Sequence, residues 1–253
     1  MQRWRTALPA WARLVAFFAS SLACAAQLPD TGVTYRLVAA QPLARFTASQ
    51  RSLLQKLNRA DEAHLGGLKR IVVPSRWDLD ELAYSPMPGS IPQLTGEPQA
   101  LVVDIPAQVF GAYEFGALVR WGPVSSGAPG RQTPAGQYYL NWNARVHISS
   151  KNESWVMPWY FNFDNESGYG LHEYDLPGRP ASHGCVRLLR TDAEWIYSWG
   201  RGWTLAPESG EVLRQGTPVM VVGRYDFASP RPWLRPAWWA SGVKFPESDF
   251  TDR

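Results

Sequence analysis

Apolar and polar positions divide the chain into an N-terminal part with one helical stripe and a longer part built of short apolar runs. Leucines on one stripe predict a helix over residues 52–58, and Thr47 and Gln50 have the spacing of a capping box at its start. The short run 71–73, closed by Pro74, predicts a strand. The first part of the chain is therefore expected to form a small α/β module.

Short strands dominate the rest of the predicted structure. They are expected over residues 100–105, 109–113, 118–121, 137–142, 144–148 and 216–222, with a turn at 114–116. The strands at 137–142 and 144–148 are expected to pair around Asn143. One helix is predicted over residues 192–199, opened by a capping box of Thr191 and Glu194. With 21 prolines, 21 glycines and 13 tryptophans, the composition also favours short strands and many turns, so the fold class is mostly β.

Residues 1–26 have the features of a signal peptide. Three arginines precede an apolar run over residues 14–23, and small residues at 23–26 offer a cleavage site. The apolar run is too short to be a permanent membrane span, so the mature protein is expected in the periplasm or cell envelope, with membrane contact only through the export signal. Cys24 leaves lipidation open, although Ser21-Leu22-Ala23 is a poor lipobox.

Charge and cysteine content narrow the function classes. The chain has 25 Lys and Arg against 22 Asp and Glu, and three of the arginines lie in residues 1–26, so the mature balance is neutral and does not favour nucleic acid. Cys185 is the only other cysteine, which excludes an internal disulfide in the mature chain and leaves its thiol free.

The stretch from residue 172 to 188 contains the candidate chemistry. It holds Cys185 and two of the four histidines, His172 and His183. A histidine within hydrogen-bond reach takes the proton of a thiol and makes it nucleophilic, and a Pro- and Gly-rich segment at 177–180 lets the chain turn back. Gly184 lets backbone N–H groups converge beside the thiol, as an oxyanion hole requires. A buried structural cysteine is one alternative. A zinc site on these three residues is another, without the usual paired-ligand spacing.

The order of residues here resembles a known signature. Ser182-His183-Gly184-Cys185-Val186-Arg187-Leu188, preceded by Tyr169-Gly170-Leu171-His172, is similar to the motif of the L,D-transpeptidases, the YkuD-type cysteine enzymes of bacterial peptidoglycan. Further blocks follow the family in order: Val102-Val103-Asp104, Pro123-Val124-Ser125-Ser126-Gly127, Thr133-Pro134-Ala135-Gly136, Met157-Pro158-Trp159-Tyr160-Phe161 and Gly216-Thr217-Pro218-Val219. The resemblance covers residues 99–224 and implies a YkuD-like β-sandwich or barrel with a short helix after the catalytic loop.

The resemblance also implies roles for individual residues. Cys185 would be the nucleophile and His172 the general base, held by the backbone carbonyl of Glu173, with His183 and Gly184 on the oxyanion side. The residues expected near substrate are Ser182, Arg187, Tyr160, Trp159 and Met157. Neither a metal nor an organic cofactor is implied.

The implied substrate is the peptidoglycan stem tetrapeptide, which would lose its terminal D-alanine as Cys185 forms a thioester. The acceptor stays open between a second stem, giving a 3→3 cross-link that contributes to cell shape, a lipoprotein lysine, and water. The span from His172 to Ser182 is shorter than in many members of the family, which implies an altered acceptor side and leaves the choice of acceptor open. Inactivation by carbapenems is also implied. A hydrolase or carboxypeptidase of the same fold and a non-catalytic wall-binding protein are the alternatives.

Four segments are expected along the chain. Residues 1–26 are the signal peptide, and 27–98 form a LysM-like or packing module followed by a Pro-rich linker from residue 84. Residues 99–224 form the catalytic domain. The Trp- and Pro-rich tail at 225–253 is expected to pack on the domain, to bind glycan or to contact a partner.

Overall fold

A computed structural model describes residues 32–245 and residue 250. The expected signal peptide therefore lies outside the described residues. Among the residues described, no helix combines the length and apolar character needed to cross a membrane.

The N-terminal part is a two-stranded sheet covered by two helices. Its order is β1 (Tyr35–Ala39), α1 (Ala48–Asn58), α2 (Glu62–Leu65) and β2 (Arg70–Pro74), with β1 antiparallel to β2. Helix α1 begins with the predicted capping box, in which Thr47 and Gln50 each accept a hydrogen bond from the other's backbone N–H. The helix starts at Ala48, about one turn before the predicted residue 52. Strand β1 was not predicted, because its residues are only partly buried and give no clear alternation of apolar and polar positions.

Nine of the remaining strands form one sheet. The elements are β3 (Ala100–Asp104), β4 (Val109–Glu114), β5 (Ala117–Ser125), β6 (Gly136–Tyr139), β7 (Asn143–Ile148), β8 (Val156–Asp164), β9 (Tyr169–Glu173), β10 (Val186–Leu188), α3 (Arg190–Trp199), β11 (Thr204–Leu205), β12 (Val212–Arg214), β13 (Pro218–Val222) and α4 (Trp238–Ser241). The strand order is β6-β13-β3-β4-β5-β10-β9-β8-β7, with β11 and β12 forming a separate hairpin. Neighbours are antiparallel except for the pairs β3–β13 and β9–β10. The mostly β fold class and the helix after the catalytic loop are confirmed.

The predicted pairing of residues 137–142 with 144–148 is wrong. Strand β6 pairs with β13 and β7 pairs with β8, so the two lie at opposite edges of the sheet. Between them the N–H of Leu140 donates to the carbonyl of Thr217, and that of Asn141 donates to the carbonyl of Asn162. Because Leu140 is buried in the core, the chain crosses between the two halves instead of turning back.

Helix α3 starts differently from the sequence prediction. It begins at Arg190 after Leu189, and no side chain caps it, so the capping box of Thr191 and Glu194 does not form. The first turn is fixed from inside the protein, since the buried carboxylate of Asp192 pairs with Arg120 at 2.7 Å. Long-range ion pairing thus replaces the local cap.

The N-terminal part packs directly on the large sheet. Leu53 and Leu57 of α1 belong to the same hydrophobic core as β3–β5. The ammonium of Lys56, 2% exposed, pairs with Glu81 at 2.6 Å and donates to the carbonyl of Trp121 at 2.9 Å. These contacts favour the packing module over the LysM-like alternative, and the domain boundaries stay a prediction.

The Pro-rich segment before residue 99 is an extended connection held against the sheet. Met87 and Leu94 are buried in the core. The N–H of Ile91 donates to the carbonyl of Gly116, and the N–H of Leu118 to that of Gly89. This segment is therefore part of the packed structure and does not act as a free linker.

The C-terminal tail packs on the N-terminal part. The guanidinium of Arg59, which follows α1, lies 5.5, 5.9 and 5.2 Å from the rings of Trp233, Trp238 and Trp239. Burial among these rings lowers the pKa of Arg59 to about 9. Of the three roles considered for the tail, the structure shows packing.

Candidate active site

His172 lies on β9, and Cys185 immediately precedes β10, which runs parallel to β9. Strand β10 pairs with β9 so that Arg187 is opposite His172 and Val186 is opposite Leu171. Extending this register by one residue places Cys185 opposite Gly170, diagonal to His172 and on the same face of the sheet. Both side chains line one cavity. The structure therefore brings together the two residues that the sequence singled out.

The imidazole of His172 is buried and oriented by its own backbone. It is 4% exposed, and Nδ1 lies 2.9 Å from the carbonyl oxygen of Glu173. Because a carbonyl only accepts, Nδ1 carries the proton and Nε2 keeps its lone pair. The pKa of His172 is lowered to about 4, chiefly by burial; the Glu173 hydrogen bond acts against this, and Arg187 and His147 contribute smaller lowering effects. The resting imidazole is thus neutral near pH 7.

The thiol of Cys185 is also neutral at rest. Burial raises its pKa, while a backbone hydrogen bond from Gly170 and the charges of Lys151 and Arg187 act in the opposite direction. Its Sγ lies 3.9 Å from the carbonyl oxygen of Gly168. The pair is therefore a thiol beside a neutral base rather than a preformed thiolate and imidazolium.

Ser182 shapes the loop that carries the cysteine. Its hydroxyl donates to the carbonyl of Cys185 and accepts the N–H of Gly184 at 3.0 Å. Gly184 has φ +119°, and a Cβ there would lie 2.2 Å from the ring of Tyr169. Only glycine fits this position. Ser182 lines the cavity, but both of its bonds serve the loop.

The expected oxyanion arrangement is corrected by these contacts. The N–H of Gly184 already donates to Ser182, so it is engaged inside the loop. The backbone N–H groups of His183 and Cys185 stay the expected donors to an oxyanion. The exposed ring of His183 stacks on Trp155, with centroids 4.3 Å apart.

Thr133 supports the same loop from the neighbouring segment, a role that sequence reasoning missed. Its hydroxyl donates to the carbonyl of Gly184 at 2.8 Å and accepts the N–H of Gly127 at 3.1 Å. Ser182 joins the segment as well, because its N–H donates to the carbonyl of Ser126 and its carbonyl accepts from Ala128. The Thr-Pro-Ala-Gly block was the available signal, although turn chemistry explained it equally well.

The cavity holds about 300 Å³ and has an aromatic and polar wall. Its lining consists of Trp142, His147, Ser149, Ser150, Lys151, Trp155, Met157, Tyr160, Asn162, Asn165, Ser167, Gly168, Tyr169, His172, Tyr174, Ser182, His183, Cys185 and Arg187. The guanidinium of Arg187 lies 4.5 Å from the ring centroid of Tyr174 and donates to the carbonyl of Asp175 at 3.4 Å. Burial lowers the pKa of Arg187.

Three of the five residues expected near substrate lie on β8, and two of these three line the cavity. Met157 and Tyr160 line the cavity, but Trp159 does not. Trp159 has φ +52°, a left-handed conformation that interrupts the alternation of the strand. Its ring packs instead between Arg145, at 3.8 Å, and Tyr197 of α3, with centroids 5.4 Å apart. The expectation for Trp159 is therefore corrected.

His147 and Trp142 were not recognised as site residues from the sequence. The imidazole of His147 packs at a tilt against Tyr160 and edge-on against Trp142, at centroid distances of 4.4 and 5.2 Å. Burial lowers its pKa. Strand pairing places it there, because β7 joins β8 with His147 opposite Met157, and no local motif marks that pairing.

The zinc alternative finds no support in the geometry. Within residues 32–245 and 250, no group of three or more His, Cys, Asp or Glu side chains is arranged to hold a metal ion.

Comparison with known proteins agrees with the motif. Residues 98–221 match the family model of the L,D-transpeptidase catalytic domain, YkuD. No curated protein matches the chain.

Several solved structures are similar to this chain. An L,D-transpeptidase from Stackebrandtia nassauensis is 27% identical, with a TM-score of 0.41, over 51% of this chain and 57% of that one. L,D-transpeptidase 1 from Mycobacterium tuberculosis is 25% identical, with a TM-score of 0.38, over 49% and 63% of the two chains. One from Mycobacterium smegmatis is 20% identical, with a TM-score of 0.40, over 50% and 59%. The matched part thus spans a little more than half of each of these proteins.

Proposed function

Through its catalytic domain at residues 98–221 the chain belongs to the YkuD-type L,D-transpeptidases, and from this premise we propose that it is a peptidoglycan L,D-transpeptidase that works through a thioester on Cys185. The observation that carries the proposal is the shared cavity, in which His172, oriented by Glu173, faces the same space as the thiol. The donor is the stem tetrapeptide, and the bond broken is the one before its terminal D-alanine.

The first half-reaction forms the acyl-enzyme. As Sγ of Cys185 attacks the carbonyl carbon of the third stem residue, Nε2 of His172 takes the thiol proton. The N–H groups of His183 and Cys185 donate to the oxyanion, and such donors each contribute roughly 3 kcal/mol. When the intermediate collapses, the proton passes from His172 to the amine of the departing D-alanine, and the thioester remains.

The second half-reaction uses the same residues in reverse. An acceptor amine loses a proton to His172 and attacks the thioester carbonyl. The new amide forms, and the sulfur leaves with that proton as the Cys185 thiol. A second stem as acceptor gives a 3→3 cross-link and a role in cell-wall biosynthesis and cell shape, while a lipoprotein lysine gives an anchored envelope protein.

The low pKa of His172 agrees with this division of labour. An imidazole with a pKa of about 4 is unprotonated throughout the range in which the cell envelope functions, so its lone pair is available, but taking the thiol proton requires that the imidazolium be stabilised as it forms. The Glu173 carbonyl then stabilises the imidazolium that forms during attack, as a buried acid does in serine proteases.

Cellular location follows from the proposed substrate. Peptidoglycan lies outside the cytoplasmic membrane, so we place the protein in the periplasm or cell envelope, exported by residues 1–26. Carbapenems, which acylate the family's cysteine, are expected to acylate Cys185.

Turnover of a purified disaccharide tetrapeptide tests the proposal. The wild type should release D-alanine and form a cross-linked dimer, whereas Cys185→Ala should form neither and His172→Gln should be at least 100-fold slower. D-alanine release without dimer would assign the protein to the second candidate, a carboxypeptidase that passes the same acyl group to water. An undiminished rate in Cys185→Ala would contradict both candidates.

A further inference from the structure

The cavity around Cys185 is positively charged. Of the side chains that line it, Lys151 and Arg187 carry a full charge, and none is Asp or Glu. Within the described part of the chain, neither cation forms an ion pair with a carboxylate. Two unpaired cations in a pocket without acids attract an anionic ligand.

The two cations come from different elements of the cavity wall. Arg187 is on β10, past Cys185 and opposite His172. Lys151 comes from the turn between β7 and β8, and its ammonium lies 6.0 Å from the ring centroid of Tyr169. The ring of Tyr169 covers Gly184, the residue before Cys185. A ligand bound to Sγ therefore shares one cavity with both cations.

Arg187 is partly committed to the protein, whereas Lys151 is not. The guanidinium of Arg187 stacks on Tyr174 and donates to the carbonyl of Asp175. Within the described part of the chain, the Lys151 ammonium contacts the ring of Tyr169 and no carboxylate, and the side chain is exposed where it lines the cavity. Its three N–H donors are thus free to meet a carboxylate.

We propose that Lys151 determines donor specificity by binding a free carboxylate of the stem peptide, so that the protein discriminates against donors in which that carboxylate is amidated. The inference rests on the proposed function. Amidation removes the negative charge and leaves the ammonium a neutral carbonyl oxygen in place of a carboxylate. The amidated stem therefore keeps a hydrogen-bond acceptor but loses the charge attraction.

Binding to the Cys185→Ala protein tests the inference without requiring turnover. The ligands are a stem tetrapeptide with all carboxylates free and a set in which each carboxylate is amidated in turn. The dissociation constant is measured by NMR titration for Lys151→Gln, Lys151→Arg and Lys69→Gln in that background. Lys69 is exposed before β2, outside the cavity lining, so its variant removes the same charge elsewhere.

We expect Lys151→Gln to weaken binding of the fully free stem by roughly tenfold, between the effects of an exposed ion pair and a charged hydrogen bond. Lys151→Arg should restore most of the affinity, and Lys69→Gln should leave it unchanged. For one amidated stem the loss on Lys151→Gln should disappear, which identifies the carboxylate.

Equal losses for every stem would overturn the inference, because they would show a structural effect of the turn on binding. No loss for any stem would overturn it as well. Turnover of the same stems by the protein with Cys185 intact tests the proposed function separately. Failure of that reaction together with stem-selective binding would refute the enzyme and keep the carboxylate site.

Discussion

His172 should make the stability of the protein depend on pH in a predictable direction. Its pKa is lowered from 6.5 to about 4 by burial, so the folded state holds it neutral. Between these two values the unfolded chain binds a proton that the folded protein does not, and stability falls as the pH falls. The contribution is therefore present above pH 6.5 and is lost as the pH approaches 4.

The magnitude follows from the size of the shift. A pKa lowered from 6.5 to about 4 corresponds to about 3 kcal/mol in the free energy of unfolding, of which about 2 kcal/mol is lost between pH 7 and pH 5. His172→Gln keeps a side chain that can donate to the Glu173 carbonyl but does not titrate. The variant should lack this part of the pH dependence, whatever its stability at pH 7.

Urea unfolding of both proteins at a series of pH values measures the difference. The wild-type curve should fall more steeply than that of His172→Gln, with the gap opening between pH 6.5 and 4. Parallel curves would refute the reasoning, because they would show that His172 titrates alike in the folded and unfolded states.

Two further changes test the loop that carries Cys185, and a third tests the packing of the N-terminal part on the large sheet. Gly184→Ala should abolish turnover, since its Cβ would meet the Tyr169 ring at 2.2 Å, whereas Gly210→Ala, at φ +72° with open space around it, should keep it; equal activities would contradict the close approach. Thr133→Val should lower kcat at least tenfold and stability by about 1–3 kcal/mol, because the N–H of Gly127 loses its acceptor; unchanged kinetics and urea midpoint would contradict the role of the hydroxyl. Lys56→Met should lower the free energy of unfolding by about 3 kcal/mol, because it removes a buried ammonium and deprives Glu81 and Asp192 of that ion pair. A variant that is equally stable in urea would contradict this prediction.

Local signals in the sequence predicted the local parts of the fold. The capping box of Thr47 and Gln50 lies within one turn, so four residues of sequence are enough to mark it. The helix after the catalytic loop was predicted as well, but from a capping box of Thr191 and Glu194 that does not form. Asp192 is fixed by Arg120, far away in the chain, and no local pattern records such a partner.

Strand pairing and side-chain direction could not be obtained from the pattern alone. Residues 137–142 and 144–148 are adjacent in sequence, yet each pairs with a more distant strand because Leu140 is buried between them. The left-handed backbone at Trp159 turns its ring away from the cavity. These outcomes depend on long-range packing, which the period of a strand does not contain.

The candidate site was predicted as far as its motif extends. Cys185 and His172 belong to one motif, and the structure places both in one cavity. The Glu173 carbonyl is next to His172 in sequence and is hydrogen-bonded to its imidazole. His147, Lys151 and Thr133 come from other segments and were not recognised. Their roles appear only when β7, β8 and the loop before β6 are folded against β9 and β10.

Intact-mass measurement of the mature protein with a carbapenem tests the central claim most directly. The account predicts one stoichiometric adduct on the wild type and none on Cys185→Ala, with the modified peptide containing Cys185. An unmodified wild type, or an equal adduct on Cys185→Ala, would contradict the assignment of Cys185 as the activated nucleophile.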